Sequence, residues 1–233
     1  MPLEERKQLR ISTGIKGMDE LIEGGFYRGD IILLCGEAGS GKTTFCAQFV
    51  YNGANLYGEK AIYVSLEEGA DRLIRNVQKY GFDFERLKRE HMIELLDVEV
   101  AVGEGLKSQM DYILYRADMI HANRLVIDSL SSLLLAQDKR VEARSLLHSL
   151  YNLFKRKDLT TLMTISIPRG SKSIGLGFEE AMVDGVILLE SMVERNVLEN
   201  RLLVLKMRGT NHSKEYQRMT FSDKGLMLTP YVK

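Results

Sequence analysis

Residues 36–43 read Gly36-Glu37-Ala38-Gly39-Ser40-Gly41-Lys42-Thr43 (GEAGSGKT), and what flanks them decides the fold. Before them stands the apolar run IILLC, residues 31–35, which suits a buried strand entering a glycine-rich turn. After them comes TTFCAQFVYNGANLYG, where Phe45, Phe49 and Leu56 recur at helical spacing and Gly58 offers a stop. Strand, glycine-rich turn and helix are the context in which G-x-x-x-x-G-K-[ST] cradles phosphate. Glycines let backbone N–H groups turn inward, and the helix adds its positive end. Lys42 then reaches the β- and γ-phosphates, and the Thr43 hydroxyl serves Mg²⁺. The full set of phosphate-binding candidates here is Gly36, Glu37, Ala38, Gly39, Ser40, Gly41, Lys42, Thr43 and Thr44.

Working outward, strands are expected over 61–66 (AIYVSL), 92–96, 124–129 (RLVIDS), 160–167 (TTLMTISI), 185–189 and 201–207. Helices are expected over 71–80, 105–122 and 143–157, with Leu73, Ile74 and Val77 on one face and Leu106, Met110, Ile113, Leu114 and Ala117 on another. Strands alternating with helices of this length predict an α/β fold with a mostly parallel central sheet flanked by helices. The late strands leave no room for helices between them, so the C-terminal end of the sheet is expected to be antiparallel.

The chain has 233 residues, 45% of them apolar, and only three prolines; without a linker-like stretch, residues 1–233 are expected to form one domain. Lys plus Arg and Asp plus Glu number 32 each, a balance that does not favour broad nucleic-acid binding but leaves room for a local basic surface. Cys35 and Cys46 form no CxxC pair and read as buried thiols in a reducing compartment. MPLEERKQLR carries no apolar signal segment, and no run is long enough for a membrane span, so the expected location is cytoplasmic. His91, His121 and His148 lack metal-ligand spacing.

Two further acidic features stand at the ends of expected strands. Asp128 ends the apolar run LVID, where a parallel strand would place its carboxylate to hold Mg²⁺; a helix cap or turn is the alternative. Glu67 and Glu68 follow the strand IYVSL and are candidates to orient and deprotonate a water. Acids there also suit the start of the next helix. One carboxylate can cap while the other works; position does not decide which, and Glu68 is preferred.

The run RISTGIKGMDELIEGGFYRGD (10–30), GEAGSGKTT (36–44), SLEE (65–68), VIDSLS (126–131) and KMRGTNHSK (206–214) together resemble the KaiC family of RecA-like ATPases. The resemblance extends from about residue 10 to about residue 230 and implies a RecA-like P-loop core. It further implies rings, commonly hexamers, with ATP between adjacent subunits. The clock protein of the family carries two such domains and a C-terminal tail in which its autophosphorylation activity resides; this chain resembles the single-domain, archaeal-type members. By resemblance Lys42 and Thr43 serve phosphate and Mg²⁺, and Asp128 the metal side. Lys206 and Arg208 would reach the γ-phosphate held by a neighbouring protomer, with His212 and Lys214 near the nucleotide at the same interface. Strand parity agrees in part, since Lys206 and Arg208 face one way. A solvated basic sheet edge is the plain alternative.

Where many relatives carry an acid after the strand TTLMTISI, this chain has Ser166. PRGSKSIGLGFEE (168–180) follows, with Arg169, Lys172 and Phe178 as a candidate surface for single-stranded DNA. A second loop, 136–144, carries Asp138, Lys139, Arg140 and Arg144, and would line a ring or meet a neighbour. The expected function is Mg²⁺-dependent ATP hydrolysis at a subunit interface. The alternatives are a DNA-binding recombination regulator and a nucleotide-gated switch acting on a protein partner. Adenine is implied by the resemblance alone.

Overall fold

The structure is a computed structural model describing residues 9–99, 104–135, 140–155, 159–171 and 179–231. Lys172, Phe178, Asp138 and Lys139 lie outside the described residues.

A nine-stranded mixed sheet runs through the molecule in the order β11-β10-β9-β8-β3-β7-β6-β4-β5. Its strands are β3 (Ile31–Gly36), β4 (Ala61–Ser65), β5 (Ile93–Asp97), β6 (Arg124–Asp128), β7 (Thr160–Ser166), β8 (Gly185–Glu194), β9 (Val197–Met207), β10 (Gln217–Ser222) and β11 (Gly225–Pro230). Strands β3 to β8 pair in parallel; β8, β9, β10 and β11 pair in antiparallel fashion. A separate ribbon pairs β1 (Arg10–Ile11) with β2 (Phe26–Tyr27). Its entry turn is held by Asp19, whose carboxylate accepts from Ser12 Oγ, Thr13 N and Thr13 Oγ1.

The two faces of β3 show why a short, continuously apolar run makes a central strand. Ile32 and Leu34 enter one core, while Ile31, Leu33 and Cys35 enter the other. The first core is covered by α1 (Lys42–Tyr57), α2 (Ala70–Gln78) and α3 (Phe84–Arg89). The second is covered by α4 (Glu104–Ile120), α5 (Leu130–Leu135) and α6 (Arg140–Lys155). Phe45 and Phe49 of α1 are buried as expected, but Leu56 is 60% exposed, in a last turn whose residues 55–57 all face solvent. Gly58, at φ 66°, ends α1 in the left-handed conformation that glycine adopts without strain. Both cysteines are free and buried, and burial pushes both thiols up in pKa.

Several boundaries differ from the expectations. Arg144 sits inside α6, which begins at Arg140, rather than in an open loop. β8 and β9 extend into a long hairpin. β10 and β11 form a second hairpin through the turn Asp223–Lys224. No helix among the described residues is long and apolar enough to cross a membrane.

Candidate active site

The carboxyl ends of β3, β4, β6 and β7 open on one side of the sheet, where ligands of open α/β folds bind. Gly36 closes β3 between Ser166 of β7 and Leu189 of β8. A Cβ at position 36 would meet Ser40 Oγ and, at 2.6 Å, the Leu189 carbonyl oxygen, so only glycine allows this approach. Gly41 has φ 98°, and a Cβ there would lie 2.7 Å from the Phe221 ring. It caps α1 with no side-chain hydrogen bond, and no acid occupies the first turn. That leaves the helix N–H groups and their positive partial charge available to an anion.

The Lys42 side chain lies across the loop and donates to the carbonyls of Gly36 at 2.8 Å and Glu37 at 2.9 Å. Burial lowers its pKa, while Asp128 and, more weakly, Glu67 pull it back up. Ser40 Oγ is buried without a hydrogen-bond partner among the described residues. An orphaned hydroxyl inside a glycine loop fits a phosphate oxygen, because leaving it unpaired is otherwise destabilising.

Asp128 ends β6 and gathers three hydroxyl donors. Thr43 Oγ1 donates to its Oδ2 at 2.8 Å, Tyr63 OH to the same oxygen at 2.6 Å, and Thr164 Oγ1 to Oδ1 at 2.5 Å. The sequence singled out Thr43 and Asp128 but missed Tyr63 and Thr164. The signal was strand register. Ser65 pairs with Asp128, so Tyr63, two residues earlier, shares its face. Ile127 pairs with Met163, so Thr164 follows beside Asp128. Hydroxyl and carboxylate are hard oxygen donors, which suits Mg²⁺. No cluster of three or more His, Cys, Asp or Glu residues that could hold a metal unaided exists among the described residues.

The two glutamates part company. Glu67 Oε1 accepts from Ser129 Oγ at 2.9 Å and Ser132 Oγ at 2.5 Å, at the turn that follows Asp128. Glu68 turns toward its own helix, accepting from Asn76 at 3.3 Å and standing 3.9 Å from Arg72.

Lys206 and Arg208 do face one way, as both donate to the carbonyl of Ala181. Lys206 also binds the carbonyls of Glu180 at 2.8 Å and Val183 at 2.7 Å, and its pKa is lowered by burial and by Arg208. Arg208, half exposed, lies 3.4 Å from Asp184, which Lys155 holds at 2.8 Å. Beside them Asp30 is buried with Oδ2 unpaired, and burial and Asp184 raise its pKa to about 6. No hydrogen bond among the described residues joins Lys206 or Arg208 to residues 36–43. His212 Nδ1 lies 2.8 Å from the Ser213 carbonyl, and Lys214 is exposed in the same loop. Arg169 and the Gly170 N–H meet the Glu37 carboxylate at 3.4 and 3.0 Å, tying the segment after β7 to the phosphate loop.

A model of the family described as "ATPase: KaiC" matches residues 11–232. The chain belongs to the KaiC ATPase family. It is 32% identical to a UPF0273 protein of Pyrococcus furiosus over 95% of this chain and 94% of that protein. It is 31% identical to the circadian clock oscillator protein KaiC of Synechococcus elongatus, over 97% of this chain but 45% of the clock protein. The crystal structure of a KaiC-like protein from Pyrococcus horikoshii superposes with a TM-score of 0.87 at 37% identity, covering 95% of this chain and 99% of that one. The mixed sheet flanked by helices is thus shared with a KaiC-family fold.

Proposed function

We propose that this protein is a Mg²⁺-dependent ATPase that assembles with copies of itself as a ring, hexameric as in its family, with each site completed by a neighbouring subunit. Family membership supports ATP binding and hydrolysis in general. The observation that carries the nucleotide and metal site is the convergence of Lys42, the unpartnered Ser40 hydroxyl, and the Thr43–Asp128 pair at the mouth of β3 and β6.

In this reading the N–H groups of residues 37–44 and the Lys42 ammonium grip the β- and γ-phosphates. Thr43 and Asp128 would hold Mg²⁺, which when bound would supply positive charge against the phosphate oxygens. A water attacks the γ-phosphorus as the bond to the β–γ bridging oxygen breaks, and a glutamate takes the water's proton. Glu67 fits that role better than Glu68. It is fastened to the Asp128–Ser129 turn and its charge is felt at Lys42, whereas Glu68 is drawn onto α2. Lys206 and Arg208 make no hydrogen bond to their own phosphate loop among the described residues and are partly exposed, which supports action on the site of the next subunit. His212 and Lys214 accompany them there.

Steady-state hydrolysis over a protein-concentration series tests the proposal. Specific activity is expected to climb as rings form, and to stay at background for the variant with both Lys206→Ala and Arg208→Ala. Turnover that ignores concentration would overturn the shared site.

A second reading, nucleotide-gated binding of single-stranded DNA, draws on the Arg169 and Gly170 contacts with Glu37. The link would carry the state of the phosphate loop into residues 168–171. Anisotropy of a labelled oligonucleotide at low salt, with ATP or ADP present, decides it; equal and negligible binding in both states rules it out.

A further inference from the structure

We infer that Tyr63, aided by Thr164, is a positioning residue that fixes the Asp128 carboxylate for Mg²⁺; the inference rests on the metal role proposed above for Thr43 and Asp128. An ionised carboxylate offers about four lone-pair sites. Three are filled by Thr43, Tyr63 and Thr164, each from a different element: the first turn of α1, β4 and β7. Tyr63 is 1% exposed and Thr164 fully buried, so neither hydroxyl has water as a substitute partner. Packing alone gives no reason for the phenol oxygen, since a phenyl ring would fill the same core beneath α1.

The three donors are not equivalent. Thr43 belongs to the phosphate loop motif, and its oxygen must also serve the metal. Tyr63 and Thr164 are anchored in the sheet and have no such second duty. They approach opposite oxygens of Asp128, so together they set the plane of the carboxylate and the direction of its remaining lone pair. Groups that hold a ligand from behind in this way tune metal affinity without touching the metal.

The test uses the full chain, with Tyr63→Phe, Thr164→Val and Thr164→Ser. A fluorescent ADP analogue is bound first in chelator and then across Mg²⁺ and Mn²⁺ titrations, with bound Mn²⁺ also read by electron paramagnetic resonance. For Tyr63→Phe the metal midpoint is expected to rise about tenfold, with affinity in chelator within about twofold of wild type. Thr164→Val should raise the midpoint likewise, and Thr164→Ser, which keeps the hydroxyl, should restore it. A merely structural role would lower the melting temperature and leave the metal midpoint in place; that result overturns the inference. Should Tyr63→Phe fail to fold, the Thr164 pair carries the same contrast, and equal midpoints for valine and serine overturn it. If Mg²⁺ and Mn²⁺ neither bind nor tighten ADP binding in the wild type, the metal reading itself fails and the inference with it.

Discussion

Arg124, at the first residue of β6, is fully buried, and its loss should be felt across the fold. Its guanidinium donates twice to Glu59 Oε2, at 2.8 and 2.5 Å, and once each to the carbonyls of Phe49 and Ser12, both at 2.8 Å. It also lies 4.4 Å from the Phe49 ring centroid. One side chain thus joins the middle of α1, the segment after β1, the end of the α1–β4 connection and the base of the strand that presents Asp128. Arg124→Met keeps the bulk and removes the charge. Breaking a buried pair by removing one partner costs about 3–5 kcal/mol. At about 2–4 °C per kcal/mol for a chain of this size, the melting temperature should fall by roughly 6–20 °C. Glu59 retains Arg28 at 3.0 Å, so the orphaned carboxylate keeps one cation. Urea unfolding of Arg124→Met, Glu59→Gln and the double variant forms a cycle whose coupling should exceed about 1 kcal/mol. Additivity within about 0.5 kcal/mol, or a loss below about 1 kcal/mol for Arg124→Met, would refute the reasoning. Because Arg124 touches no part of the phosphate loop, nucleotide affinity well below the melting temperature should stay near wild type.

Gly41→Ala should lose about five- to thirtyfold in ATP affinity, the range set by about 1–2 kcal/mol of left-handed strain in the loop, and the added change Phe221→Ala should relieve the clash but not the strain. Glu67→Gln is expected to slow turnover by about 10²–10⁴, whereas Glu68→Gln should retain most of it; single-turnover hydrolysis separates the two, and the reverse order would reassign the base. Asp30 has a folded pKa raised to about 6, so the folded state binds its proton more tightly than the unfolded chain. Its contribution is therefore favourable below about pH 4 and is lost as pH rises through about 6; Asp30→Asn should gain about 1–3 kcal/mol at pH 8 and flatten the pH 4–6 slope in denaturant titrations.

Much of this was legible in the residues because periodicity and motif agreed. The continuous apolar run of β3 announced a strand buried on both faces, and GEAGSGKT could only be a loop between it and a helix. An antiparallel end to the sheet was legible, but β10 and β11 were not individually so, because each contributes few buried apolar side chains: Met219 on one, Leu226 and Leu228 on the other. α3 was missed too, although Asp83 caps it by accepting from Arg86 N at 2.9 Å, a local signal that six residues of helix make weak. In the site, Asp128 was visible as an acid at a strand end, while Tyr63 and Thr164 required knowing which strands are neighbours. Glu67 and Glu68 are adjacent in sequence and differ in where their side chains turn, which no spacing encodes. For Lys206 and Arg208 parity gave the shared direction, but not their hold on residues 180–184.

The most direct test of a site shared between subunits is to mix two inactive variants. Lys42→Ala keeps Lys206 and Arg208 but loses the phosphate grip; Arg208→Ala keeps the grip but loses its cation. Each alone should be near background. Mixed and allowed to exchange subunits, they should regain hydrolysis, because an Arg208→Ala subunit would have its site completed by a Lys42→Ala neighbour. Mixed assemblies that form yet stay as inactive as the parents would contradict the account.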